Sequence, residues 1–158
     1  MKPLLGLLLW ASFAWSVQAQ ITGRQAAPRP GAESVAAVSH VRSHYVLHCA
    51  GCHGLDGAGS RIGKVPDMRQ LGQFLRIPGG REFIIQVPGV MGSGLNDEQV
   101  AQVTNWVLMN LASGTAPEGH APYTAAEVQR ARQNPLLDVA ATRAQLVNLA
   151  RTQNIALD

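Results

Sequence analysis

Both cysteines of this 158-residue chain fall in one pentapeptide, Cys49-Ala50-Gly51-Cys52-His53. Few features constrain a small chain more tightly. A disulfide here would close only two intervening residues and remove little entropy from the unfolded chain. A thioredoxin-like redox pair needs a strand before the first cysteine and a helix starting just after it. Here the apolar pattern before Cys49 is helical, and Gly51, Gly54, Gly57 and Gly59 follow. Zinc needs four ligands, and neighbouring residues such as His48 and His53 seldom both reach one tetrahedral ion.

The reading that uses all the reactive side chains is covalent haem attachment, for which C-x-x-C-H is the direct signal. Two thiols at this spacing add to the two vinyl groups along one edge of the porphyrin. The histidine that follows then reaches the iron. One covalently attached haem c is therefore the expected cofactor, with Cys49, Cys52 and His53 as its primary holders.

The segments around the pentapeptide read as an export signal and then helices. Lys2 precedes the apolar run Leu4 to Trp15, and Val17-Gln18-Ala19 carries the small residues favoured before a cleavage site. Residues 1–19 thus read as a signal peptide that directs the protein to the periplasm. The apolar run is shorter than the roughly 20 residues needed to span a bilayer, and no second span follows. Cleavage removes Lys2, so the formal charge of +3 becomes +2, too weak to suggest nucleic acid as a partner. Residues 20–33, with Pro28, Pro30 and Gly31, read as a flexible lead-in.

Helical periodicity then begins. Val35, Val38, Val41, Tyr45 and Val46 mark the face of a first helix to be buried, with Ser34 as its cap. Glycines make a loop from Gly51 to Gly59, and a short helical run lies around Met68 to Arg76. "REFIIQV" (81–87) has a strand-like composition but no partner strand, so a short helix is expected. Asn96 or Asp97 caps a stronger helix through Val100, Val103, Val107 and Leu111, with Gly114 as its stop. Thr124 and Glu127 have the spacing of a capping box, and a last helix is expected over 139–151. The fold class is all-α: residues 34–113 carry the haem, and residues 114–158 form a helical extension.

With these residues in view, the chain resembles the monohaem class I c-type cytochromes from about Ser34 to Ala112. Tyr45 stands where that family has an aromatic residue on its first helix, and Trp106 where one packs across it. Val41 departs from the glycine common at its position. The resemblance implies that the carbonyl of Pro66 holds the His53 ring and that a methionine takes the other face of the iron. Beyond the signal, only Met68, Met91 and Met109 are available. Met91, in "PGVMGSGLNDEQ", matches the family's methionine loop and is the expected ligand. Met68, in "VPDMRQL", is expected to be haem wall, and Met109 to pack within its helix. Gly92 follows Met91 where many relatives have proline.

The resemblance implies a periplasmic electron carrier and not an enzyme, with a dehydrogenase as donor and an oxidase or another cytochrome as acceptor. The basic residues Arg61, Lys64, Arg69, Arg76 and Arg81 would face an acidic partner or form a solvated surface. Two alternatives stay open: the haem subunit of a dehydrogenase complex, and a haem protein whose sixth position binds peroxide or a gas. His40, His44 and His48 align along one helix face, which reads either as a solvated stripe or as a metal or distal-imidazole site.

Overall fold

A computed structural model describes residues 32–157. The expected signal peptide and almost all of the lead-in lie outside the described residues. The architecture is helical: α1 (Ala32–His48), α2 (Ala50–His53), a 3₁₀ turn (Met68–Gln70), α3 (Leu71–Phe74), α4 (Gly80–Gln86), α5 (Pro88–Met91), α6 (Asp97–Asn110), α7 (Ala125–Arg132) and α8 (Val139–Thr152). Among the described residues the one β feature is an isolated antiparallel bridge between Ser60 and Val65. The all-α fold class expected from the sequence is the one found. No described helix is long and apolar enough to cross a membrane.

The crossing of α1 with α6 frames the molecule. Tyr45 on α1 is 1 % exposed, and its ring meets that of Trp106 on α6 at 5.1 Å between centroids. Val107 and Leu108 on α6 are wholly buried, and Val41 packs half-buried against the same cluster. The strand-like heptapeptide lies in α4 up to Gln86, as expected from the lack of a partner strand: Phe83, Ile84 and Ile85 all go inward, and Phe83 stacks on Phe74 at 5.3 Å. A short apolar run without a neighbouring strand satisfies its backbone within a helix instead.

Several local details differ from the sequence reading. α1 already includes Ala32 and Glu33, so Ser34 lies inside it and does not cap it. Its apolar face is incompletely covered, because Val38 and Val46 stay exposed. Gly51 sits in a helical turn and not in the loop. α6 ends at Asn110 with Leu111 as its cap, before Gly114. Met109 points outward, 70 % exposed, and does not pack. The expected capping box forms between Thr124 and Glu127, and of the two cap candidates for α6 it is Asn96 that caps, in a box with Gln99 that was not expected. Each pairs two orphan backbone donors at a helix start.

Residues beyond Ser113 share the core of those before it. Tyr123, Val128, Ala131, Leu146, Val147, Ala150 and Leu157 belong to the same buried cluster as α4 and α6. Polar contacts lock the seam. Arg81 on α4 donates to both carboxylate oxygens of Glu127 on α7, at 2.7 and 3.2 Å, and to the carbonyls of Ala121 and Pro122. Its guanidinium also lies over the Tyr123 ring, 4.1 Å from the centroid. Tyr123 donates its hydroxyl to the Arg81 carbonyl at 2.8 Å. Arg132 pairs with Asp97 at 3.0 Å. Gly72 on α3 is pressed so closely against Ala116 that a Cβ there would collide with the Ala116 backbone. Leu137, an apolar residue of this segment, is left in solvent.

Candidate functional site

Cys49 lies at a kink. Its φ of −125° separates α1 from the single turn of α2, yet the hydrogen-bond ladder continues through it, Cys49 N–H to Tyr45 O and His53 N–H to Cys49 O. The kinked helix carries both thiols and the imidazole within two turns. Both cysteines are free; Cys49 is half-buried and Cys52 exposed. Burial pushes the Cys49 thiol above its ordinary value. Tyr45 fastens the turn from below by donating its hydroxyl to the Gly54 carbonyl at 2.6 Å.

His53 Nδ1 lies 3.0 Å from the Pro66 carbonyl oxygen. A carbonyl only accepts, so Nδ1 carries the proton and the lone pair of the neutral ring is on Nε2. This fixes both tautomer and ring plane, as a second-shell acceptor does for a metal-ligating histidine. The loop that brings Pro66 there closes tightly. Gly59 N–H donates to the His53 carbonyl, Met68 N–H to that of Gly57, and Ser60 pairs with Val65. Gly59 has φ of +68°, and a Cβ on it would run into the carbonyl oxygens of Val65 and Pro66. Only glycine fits there.

The two candidate thioethers sit on different elements. Met68 opens the 3₁₀ turn and packs half-buried against the core. Met91 is also half-buried and is the last residue of α5, a short helix started by Pro88, and not part of an irregular loop. The glycine-rich segment after it is tied down at Ser93. His48 Nδ1 donates to the Ser93 carbonyl at 2.9 Å, and the Ser93 hydroxyl donates to that of Val90 at 2.8 Å. Sequence reasoning missed this role of His48. Its spacing suggested membership of a stripe, and no local signal marks a contact reaching 45 residues along the chain.

The donor set fits haem. Free thiols lie at both ends of the C-x-x-C, an imidazole presents an oriented Nε2, and the half-buried side chains of Met68 and Leu111 stand against Gly57 in the loop that follows. The basic residues are less uniform than their spacing suggested. Arg69 is engaged with Asp67, whose carboxyl it holds below the ordinary range, and Arg81 is committed to Glu127. Arg61 and Lys64 stand exposed on the turn before Pro66. On α1, His44 is held below the usual imidazole value by burial first, then by His40 and His48.

No family model matches the chain. It is similar to cytochrome c-552 of Thermus thermophilus, 31 % identical over 106 residues that span 56 % of this chain and 81 % of that protein. A second cytochrome c-552, from a further strain of the same species, is also 31 % identical, with 72 % of its length covered.

Proposed function

The chain belongs to the c-type cytochromes, electron-transfer proteins with covalently held haem, and from that premise we propose that it is a monohaem class I carrier working in the periplasm. Cys49 and Cys52 would hold the haem, and His53 and Met91 would bind its iron. The observation that carries this reading is the hydrogen bond from His53 Nδ1 to the Pro66 carbonyl, which aims Nε2 away from the loop.

When bound, haem supplies an iron that gains and loses one electron. The protein's part is to hold, orient and exclude water. Cys49 and Cys52 would attach the haem through Sγ. Pro66 keeps the His53 ring from rotating, and Gly59 lets Pro66 approach. A methionine thioether opposite an imidazole favours the ferrous state and raises the potential. His48, through Ser93, restrains the segment that follows Met91. Two ligands held this way need little rearrangement when the charge changes, which suits transfer more than bond chemistry. The protein acts as a carrier and not as an enzyme in this account. Arg61 and Lys64 favour an acidic partner face, with a dehydrogenase as donor and an oxidase or second cytochrome as acceptor.

The test is the far-red absorption of the ferric protein matured with haem in an export-competent host. The wild type and Met68→Ala should show the weak sulfur-to-iron band, and Met91→Ala should lose it. A band that survives in Met91→Ala would remove Met91 from the iron. A high-spin wild type would move the peroxide- or gas-binding reading ahead.

A further inference from the structure

We propose that His40 and His44 form a binding site for a divalent transition-metal ion of the zinc and copper class, separate from the haem, through their two Nε2 atoms. These nitrogens lie 3.1 Å apart, one helical turn from each other on α1. Two metal–nitrogen bonds of about 2.05 Å meeting at roughly 100° set nitrogens about 3.1 Å apart, so both atoms already occupy neighbouring ligand positions of one ion.

The hydrogen bonding around the pair shows where the lone pairs point. The Gln99 side chain accepts from Asn96 N–H through Oε1 in its capping box, so its Nε2 is the amide that faces His44, at 3.3 Å. That amide can only donate, and His44 Nε2 must therefore be an acceptor carrying a lone pair. The His40 Nε2–H then supplies the bond between the rings. An arriving ion takes the one lone pair that His44 Nε2 shares between these two donors, so the Gln99 amide turns to water and His40 moves its proton to Nδ1 with no net release. The helix has set the side chains beforehand, with the rings edge-on at 4.5 Å between centroids. Neutral imidazoles prefer zinc, copper and nickel among divalent ions.

The third histidine of the stripe is not a ligand. His48 commits Nδ1 to the Ser93 carbonyl, and its ring is 6.0 Å from that of His44. Among the described residues no set of three or more His, Cys, Asp or Glu side chains converges on a point. Water completes the coordination. His40 is exposed and His44 half-exposed, so an ion reaches both from solvent.

Calorimetric titration of the haem-loaded full chain with zinc sulfate tests this, zinc being redox-silent and leaving the haem oxidation state alone. One equivalent should bind, reversibly on adding EDTA. His40→Gln and His44→Gln should each weaken binding by about tenfold or more, as loss of one arm of a chelate does. His48→Gln and His120→Gln should stay within about threefold of wild type on the same scale. Unchanged haem absorption and circular dichroism in the His40, His44 and His120 variants separate ligand loss from misfolding. Absence of binding, survival of full affinity in the His40→Gln/His44→Gln double variant, or an equal loss in His48→Gln would overturn the two-histidine site.

Discussion

The turn that carries Cys49, Cys52 and His53 and the segment that follows Ser113 are held by opposite means. The first is a single kinked turn and a loop, kept in shape by a few backbone hydrogen bonds and by glycines in the left-handed region, with Cys52 exposed and Cys49 half-buried. The second buries apolar side chains in the common core and closes over them with an arginine, a carboxylate and a tyrosine. The chemistry therefore sits on a locally specified scaffold that a bound group completes. The extension is complete without one and gives that scaffold a floor. Free energy and function are carried by different parts of one small chain.

Removing the extension should have the largest effect. A chain ending at Ser113 strips α7 and α8 from α4 and α7 from α6, and each large apolar side chain this uncovers is worth about 1.5–3 kcal/mol of burial, against a total stability of about 5–15 kcal/mol. Size-exclusion chromatography should show aggregate or an expanded chain. A folded monomer would mean that the seam contributes little and that these helices serve as a docking arm for another chain.

Arg81→Ala comes next, because one side chain supplies the ion pair, two carbonyl contacts and the stacking on Tyr123. A loss of about 2–4 kcal/mol in denaturant unfolding is expected, with the haem spectrum of the folded protein unchanged. In the other region, Gly59→Ala should cost about 1–3 kcal/mol in strain and collision, and here the haem spectrum should shift as Pro66 is pushed off His53. The contrast between these two variants is sharper than either alone. Tyr123→Phe should cost about 1 kcal/mol by leaving the Arg81 carbonyl short of a donor. Met109→Gln, on the exposed side of α6, should fall within about 0.5 kcal/mol of wild type.

Acid should loosen the extension. Arg81 beside Glu127 holds that carboxyl below its ordinary value of 4.5. A depressed carboxylate contributes stability that is full above its unfolded value and is lost as pH falls through the folded one. The stability gap between wild type and Glu127→Gln should therefore narrow below about pH 4.5. A gap that stays constant into strong acid would show that the pair does not titrate as a unit.

Which parts were legible in the sequence follows the same division. The proposed haem-attachment turn is local: five consecutive residues specify it, and the cap at Asn96 and the capping box at Thr124 are likewise written within four positions. Arg81 illustrates what was not legible. In the sequence it is one of five basic residues in a row of charges, and only the fold brings Glu127 and Tyr123 to it from more than forty residues away. Met109 and Val38 have the helical spacing of core residues, yet they lie outside the patch that α6 and α1 bury, because periodicity gives a face and not its width. Gly92 and Gly94 flank Ser93 in the segment after Met91. The tie from His48 to Ser93 is the long-range contact that restrains it.

The most direct test of the central claim is the intact mass of the full chain, matured with haem in an export-competent host and then unfolded in acid. The account predicts one haem remaining covalently attached after denaturation, and its complete loss in a Cys49→Ala/Cys52→Ala variant. A wild-type mass equal to the bare polypeptide, or lower by the two hydrogens of a disulfide, would contradict it.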